Sequence, residues 1–196
     1  CYLYNQTSCN SPYSIYSSIT YNNRYIETTY KILTETISRI DSYDTRYKTN
    51  LSWKQMPAKR SYDIIAIGWE AFNVQLDSTP YIHQDYTYSG GGTSYTSSGI
   101  YQHWSGGASY VIDLPDSTSI IKLSSYMYAD MKKTYTGSTI TSLVATGDYS
   151  HATSTISTTN AKKHTVNYAA GIILDSSITS YYDTINPAIA TWTGTW

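Results

Sequence analysis

The sequence predicts a mainly β protein, an antiparallel sandwich or jelly roll of about eight short strands with one amphipathic helix near the N-terminus. Two compositional biases predict the strands: 21 Ile accompany 8 Leu, and 23 Tyr accompany one Phe. These residue types favour the pleated, half-buried surface of a strand. Short segments punctuated by glycine, asparagine and aspartate indicate the turns. At 196 residues, the chain is expected to form a single domain, 1–196, with a core of its own.

The first element is an N-terminal arm, residues 1–20, which contains both cysteines of the chain. We expect a disulfide between Cys1 and Cys9 in an oxidising compartment, which would hold the arm against fraying. Two free thiols are one alternative, and a lipidated Cys1 is another. The arm also contains the acceptor sequence for N-linked glycan at Asn5, and a second one stands at Asn50. With 28 Ser and nine Asn, the chain would carry such sequences by chance, so they permit glycosylation without indicating it.

The second element is the amphipathic helix, predicted over residues 22–41. Apolar residues recur there at a spacing of four and three, which forms one stripe along a helix: Ile26, Tyr30, Leu33, Ile37 and Ile40. The same spacing brings Glu27 to Lys31 and Glu35 to Arg39 on the polar side. The helix is expected to cover one face or end of a sheet, and a coiled-coil seam between subunits is the alternative. Its many β-branched residues oppose the prediction.

The β domain is predicted over residues 62–196. Residues 61–76 have the pattern of a buried strand or strand pair. Residues 81–114 alternate aromatic and polar side chains between glycines at 90–92 and 106–107, which predicts a meander of strands that turns at the glycines. Five further segments of strand length follow. Their spacing favours a sandwich or jelly roll over a solenoid.

Charge is scarce and balanced in this chain. Charged residues make up 14 % of it, and the formal net charge is -1. No broad basic field is therefore present to attract nucleic acid or an anionic membrane. Hydroxyl and amide groups provide the surface polarity instead, which indicates a secreted or cell-surface, extracellular protein.

No arrangement of residues typical of catalysis was found, so the sequence predicts a protein that is not an enzyme and needs no cofactor. The best single candidate for a catalytic acid is Glu70, which stands beside Trp69 in an apolar segment. His83 and Asp85 lie two residues apart on one strand face, but the four histidines have no metal-ligand spacing, and no metal site is expected.

One stretch suggests a recognition surface. Six aromatic residues lie within 25 positions of hydroxyl-rich sequence: Tyr86, Tyr88, Tyr95, Tyr101, Trp104 and Tyr110. Such rings are typical of surfaces that bind sugars or lipid headgroups, because the ring is apolar and its tip is polar. The alternative is that Tyr replaces Phe in this core.

These observations favour an extracellular structural protein, a self-assembling subunit of a surface filament, coat or sheath, whose partners are copies of itself. Assembly would add residues 2–20 as a strand to a neighbouring sheet edge. The first alternative is a secreted protein that binds carbohydrate or lipid headgroups through the aromatic strands, including a membrane-active one. The second is a secreted jelly-roll hydrolase that uses Glu70.

Overall fold

The computed structural model describes residues 22–135, 137 and 139–196, and strands dominate them. Fifteen strands are present in this part of the chain. Their bounds are β1 Asn22–Glu27, β2 Lys31–Arg39, β3 Asp44–Trp53, β4 Tyr62–Trp69, β5 Val74–Leu76, β6 Tyr81–Tyr88, β7 Thr93–Thr96, β8 Ile100–Trp104, β9 Gly107–Asp113, β10 Ile120–Lys133, β11 Ser142–Ala152, β12 His164–Asn167, β13 Gly171–Leu174, β14 Tyr182–Thr184 and β15 Ala188–Thr193. A short helix α1, Thr158–Ala161, and a 3-10 turn, Thr179–Tyr181, complete the elements.

The strands form two large antiparallel sheets and one small hairpin. The larger sheet has the order β1-β2-β3-β10-β6-β7, and β5 also pairs with β10. The smaller sheet has the order β14-β11-β4-β9-β8, and β15 also pairs with β11. The hairpin consists of β12 and β13. The prediction of a mainly β, antiparallel protein is confirmed, with fifteen described strands rather than about eight.

The main core lies between the two large sheets, as in a sandwich. Every second residue of β2 and β3 points into it, for example Leu33 and Ile37 from β2 and Tyr47 and Leu51 from β3. The smaller sheet contributes large side chains such as Trp69. Because strand side chains alternate between faces, the intervening residues of β2 and β3 point away from the core.

The outer face of the smaller sheet is covered by the chain itself, over residues 153–181. A second apolar cluster fills this interface, with Ile64 and Val111 on the sheet and Ile156 and Ile178 in the covering segment. We refer to residues 153–181 as the cover. β4 is accordingly buried on both faces over nearly all of its length.

A pair of glycines lets the cover approach the sheet closely. Gly68 of β4 and Gly107 of β9 are direct cross-strand partners. A Cβ atom on Gly68 would lie 2.7 Å from the Asn167 carbonyl oxygen, and one on Gly107 would lie 2.6 Å from Val166 Cγ1. Strand β12 can therefore pack against the sheet only because both positions lack a side chain.

The amphipathic helix predicted over residues 22–41 is wrong, since these residues form the hairpin β1–β2 of the larger sheet. Within β2 the buried residues alternate, and Glu35 points into the core beside Leu33. The predicted helical ion pairs do not form, because Glu27 pairs with Lys54 and Lys31 with Asp183. The β-branched residues decided the outcome, and the four-and-three spacing of apolar residues was coincidental.

In the part of the chain that the structure describes, strands of the larger sheet are present from Asn22, well before the β domain predicted from residue 62. The turn predicted at the glycines of 90–92 is the turn between β6 and β7, where Gly91 has a φ of 85°. The predicted disulfide of Cys1 and Cys9, the Asn5 acceptor site and the arm of residues 1–20 lie outside the described residues. In the described part of the chain, no helix combines the length and the apolar character needed to cross a membrane.

Candidate binding face

The outer face of the larger sheet carries a cluster of aromatic rings. Strands β6, β7 and β10 are neighbours, and their outward positions bring five rings together: Tyr81, His83, Tyr95, Tyr126 and Tyr128. We call these five side chains the tyrosine face. The register between β10 and β6 brings four of these rings side by side, because Tyr126 is the direct partner of His83 and Tyr128 is the direct partner of Tyr81.

The rings of the tyrosine face pack side by side. The His83 ring stacks on Tyr95 at a centroid distance of 5.1 Å and an interplanar angle of 22°. Tyr126 lies 5.1 Å from His83, and Tyr128 lies 5.1 Å from Tyr81, with both pairs tilted by about 30°. Tyr95 is 71 % exposed and Tyr81 is 37 % exposed, so the cluster presents ring surface to solvent.

Hydrogen bonds fix the histidine at the centre of the face. The Asp85 carboxylate lies 2.9 Å from His83 Nε2. The Ser97 hydroxyl lies 3.1 Å from His83 Nδ1 and 2.9 Å from the Tyr81 hydroxyl. The imidazole is thus held at both nitrogens, and its ring plane is oriented to stack between Tyr81 and Tyr95.

Two cations from β3 lie against the tyrosine face. The Arg46 guanidinium lies 4.0 Å from the Tyr128 ring centroid, and Lys48 Nζ lies 4.1 Å from that of Tyr126. Arg46 also donates two hydrogen bonds to the Asp130 carboxylate, at 2.7 and 2.8 Å. Burial and the neighbouring Tyr81 raise the pKa of Tyr126 above its ordinary value of 10.0, so its hydroxyl stays protonated even at mildly alkaline pH and can donate a hydrogen bond.

This arrangement combines flat apolar surface with hydrogen-bonding groups at its edge. From β7 to β3 the face spans three strand spacings, roughly 14 Å. The ring surfaces can contact the C–H groups of a bound molecule, while Asp85, Lys48 and Asn50 can bond to its hydroxyl groups. Asn50, the second glycan acceptor, points outward from β3 and is the direct partner of Tyr126. A glycan attached there would stand on the same face.

Of the six aromatic residues that the sequence suggested as a binding surface, only Tyr95 belongs to the tyrosine face. Tyr86 and Tyr110 lie in the main core, 7 % and 8 % exposed. Tyr88 is half-buried against that core, and Tyr101 packs on Tyr110 at 5.4 Å. The sixth residue, Trp104, is half-buried near His164 of the cover. These six residues are separated because β6 and β7 belong to the larger sheet and β8 and β9 to the smaller one. Within the larger sheet, Tyr95 is the partner of Asp85 and therefore points away from the core that contains Tyr86.

Sequence reasoning missed Tyr81, Tyr126 and Tyr128. A signal was present in SSYMYAD, residues 124–130, where Tyr126 and Tyr128 alternate with the buried Met127 and Ala129. Period-two alternation predicts that both tyrosines share one face. The pairing of β10 with β6 is a long-range fact, however, and only that pairing brings them to His83.

Glu70 lies in the turn after β4, half-buried, and accepts a hydrogen bond from the Asn73 side chain at 2.9 Å. The fully buried glutamate is instead Glu35, whose carboxyl accepts a hydrogen bond from the Thr49 hydroxyl at 2.6 Å. Burial raises the pKa of Glu35 to about 8. Its other oxygen, Oε1, has no hydrogen-bond partner.

Other polar residues are buried between elements and are closed to a substrate. Asp63 accepts hydrogen bonds from the Tyr149 hydroxyl and from the Ala152 amide, and His151 Nδ1 lies 2.9 Å from it. Ser109 of the smaller sheet and His164 of the cover are hydrogen-bonded to each other at 2.8 Å. Such buried, mutually bonded groups are structural in character. Among the described residues, no group of three or more metal-ligating side chains could hold a metal ion.

Comparisons with known proteins add little. No protein-family model matches the chain, and no curated protein matches it significantly in sequence. Among solved structures, the collagen-binding domain from a Staphylococcus aureus adhesin is similar at 15 % sequence identity. The match covers 68 % of this chain and 85 % of that domain, with a TM-score of 0.35. A TM-score this low carries no inference about function.

Proposed function

We propose that this protein is a non-catalytic, extracellular binding protein that holds a glycan on the tyrosine face. The observation that carries the proposal is the cluster of five packed rings on the exposed side of the larger sheet. Burial alternates across β2, β3 and β10, with half-exposed residues on that side, while the cover closes the corresponding side of the smaller sheet. Aromatic rings clustered on an exposed face of a sheet favour a binding role.

The chemistry of the face fits a carbohydrate of low charge. Sugar rings have apolar C–H faces that stack on aromatic side chains, and their hydroxyl groups need donors and acceptors at the edge. Arg46 is paired with Asp130, and the two remaining charges, on Lys48 and Asp85, have opposite signs, so the charge is balanced within the face. A strongly anionic ligand would find little to attract it. The small number of charged residues in the whole chain agrees with this interpretation.

A glycan array followed by calorimetry on the bound sugar tests the proposal. Tyr95→Ala removes an exposed ring of the face and is expected to weaken binding roughly 3- to 10-fold, the range for one aromatic contact. Tyr126→Ala should weaken it more, since it removes a ring between His83 and Lys48. Tyr43→Ala is the matched control, because Tyr43 is 73 % exposed but lies in the β2–β3 turn.

Two results would contradict the proposal. One is a protein that binds no glycan on a broad array. The other is a bound glycan whose affinity falls no more for Tyr95→Ala and Tyr126→Ala than for Tyr43→Ala.

Self-assembly is a second candidate function, and the edges of the larger sheet favour it. Among the strands that the structure describes, β1 and β7 are its edge strands, and the side chains of β7 are mostly exposed. An edge strand offers unpaired backbone groups to an added strand. The arm directly precedes β1 and could pair with an edge of the next copy, which would extend head to tail.

Deletion of residues 1–20 tests this assembly. If the full chain forms filaments or sheets in electron micrographs, the truncated chain is expected to be a folded monomer by size exclusion. A truncated chain that still polymerised would exclude the arm. A full chain that stays a particle of about 22 kDa would remove the assembly proposal and leave glycan binding intact.

A further inference from the structure

Two turns and the segment that follows β10 meet at one end of the sandwich, beside the C-terminal end of β10. Lys132 of β10 pairs on one side with Asp44, which follows the β2–β3 turn. On its other side it pairs with Gln75 of β5, which follows the β4–β5 turn. The chain leaving β10 is the third segment, and its Thr134 amide donates to the Asn73 carbonyl at 3.1 Å.

Each of these segments exposes one large aromatic side chain. Phe72, the only phenylalanine in the chain, is 76 % exposed, Tyr43 is 73 % exposed and Tyr135 is 68 % exposed. We call these three side chains the loop-tip cluster. Ile40 of the same β2–β3 turn adds a partly exposed apolar side chain. The sequence offers 23 tyrosines but places its one phenylalanine here, where burial does not require it.

The turns satisfy their own backbone groups. The Asp41 carboxylate accepts hydrogen bonds from the amides of Tyr43 and Asp44, at 2.6 and 2.8 Å. The amides of Asn73 and Val74 both donate to the Glu70 carbonyl, at 3.0 and 3.2 Å. These amide groups therefore do not need water, and the tips can enter a less polar medium at low cost.

Acidic residues slightly outnumber basic ones around the cluster. Lys132 pairs with Asp77 at 3.1 Å, and Arg39 donates a hydrogen bond to the Asp41 carbonyl. Further acidic residues stand in or beside these turns, including Asp44 and Glu70. This end of the molecule has no excess of basic residues that would favour an anionic surface.

We infer that the loop-tip cluster inserts its rings into the headgroup region of an electrically neutral lipid bilayer. The rings lie on separate turns, so they suit a fluid surface better than a small ligand. Phenylalanine supplies apolar area, while the tyrosine hydroxyls remain in contact with water, as at a membrane interface. The inference is independent of glycan binding, because the tyrosine face contains none of these residues.

Co-sedimentation with phosphatidylcholine vesicles tests the inference. The intact protein is expected to bind, and addition of phosphatidylserine, which is anionic, should not increase the bound fraction. The double variant Tyr43→Ser, Phe72→Ser is expected to lose roughly tenfold in partitioning, by the apolar area it removes. The matched control is Tyr30→Ser, since Tyr30 is 57 % exposed in the β1–β2 turn at the opposite end of the sheet.

A conservative variant separates insertion from a folding defect. Phe72→Tyr retains the ring and is expected to retain most of the binding, while the double variant should keep the unfolding midpoint of the intact protein. Three results would overturn the inference: an intact protein that does not bind, a folded double variant that binds as well as the intact protein, or a double variant that alters self-association without lipid. The last would assign the cluster to contacts between copies of this chain.

Discussion

At the scale of single residues, Glu35 is the most unusual side chain described. It is fully buried in the core, and a Cβ atom on the facing Gly147 would lie 2.3 Å from its Oε2. The Oε2 atom of Glu35 accepts a hydrogen bond from the Thr49 hydroxyl, while its Oε1 atom has no hydrogen-bond partner. Because a buried charge is unfavourable, the carboxyl retains its proton in the folded state up to about pH 8.

Glu35 should make the folded state less stable as the pH rises. The folded carboxyl binds a proton up to about pH 8, while the unfolded one releases it near 4.5, so the folded state holds more protons between these values. The free energy of unfolding is then expected to fall by up to about 1.4 kcal/mol per pH unit from this group. The variant Glu35→Gln should not show this fall in the free energy of unfolding. It is expected to be more stable than the unchanged protein at pH 8, but not at pH 5.

Urea denaturation of both proteins at several pH values measures the difference. Burial raises the pKa of Asp148 to about 6 and lowers that of His164 to about 4. Because both groups titrate in both proteins, the difference between the two stability curves isolates Glu35. Parallel stability curves from pH 5 to 8 would show that the carboxyl is not buried as described.

At the scale of elements, the cover is held by a small number of buried polar contacts. Ser109 donates to His164 Nε2 at 2.8 Å, and His164 Nδ1 donates to the Ala161 carbonyl at 2.9 Å. The Asp148 carboxylate accepts from the Ile172 amide at 2.7 Å. The first bond joins β9 of the sheet to β12, the second joins β12 to α1, and the third joins β11 of the sheet to β13.

Ser109→Ala is expected to loosen the cover. The change leaves His164 Nε2 buried without a donor, which should reduce the free energy of unfolding by about 1 to 3 kcal/mol. Hydrogen exchange should accelerate in β12 and β13 before it does in β3 or β10. Ser98→Ala, at an exposed position, serves as the control and should change neither quantity. Uniform acceleration in both sheets would contradict a local role.

The hairpin β1–β2 shows at the element scale why the predicted helix was wrong. Its apolar spacing fits a helix, yet alternation also runs through KILTETISR, residues 31–39. Glu35 obscured the alternation, because a glutamate occupies an inward position between Leu33 and Ile37. A pattern that assigns charged residues to the surface cannot anticipate a buried carboxylic acid.

At the scale of the whole molecule, the two large sheets differ in what they expose. The smaller sheet is sealed by the cover, while the larger sheet presents the tyrosine face. Polarity comes from hydroxyl and amide groups, and the described ion pairs such as Arg46–Asp130 and Lys54–Glu27 lie near the surface.

The free energy of unfolding should therefore depend little on salt. We expect it to change by less than about 1 kcal/mol between low salt and about 1 M sodium chloride, since surface ion pairs contribute little and are screened. Denaturation in urea, which is uncharged, measures this directly. A larger loss at high salt would show that the ion pairs hold the sheets together.

The sequence by itself determined the class of this protein and much of its strand pattern. The biases towards Ile and Tyr and the glycine turns predicted an antiparallel β protein and the turn at the glycines of 90–92, because strand propensity and turn geometry are local properties. The spacing of two residues also predicted that His83 and Asp85 lie on one strand face, where His83 Nε2 is 2.9 Å from the Asp85 carboxylate.

Only the tertiary structure decided which side chains meet. Strand β10 pairs with β3 on one side and β6 on the other, far apart in sequence, and this pairing unites Tyr126 and His83 with Lys48. The packing of the smaller sheet on the larger one buries Tyr86, which the local pattern had placed in a binding surface. The physical reason is that alternation assigns a residue to one of two faces, while the choice between core and solvent depends on which sheet packs on which face.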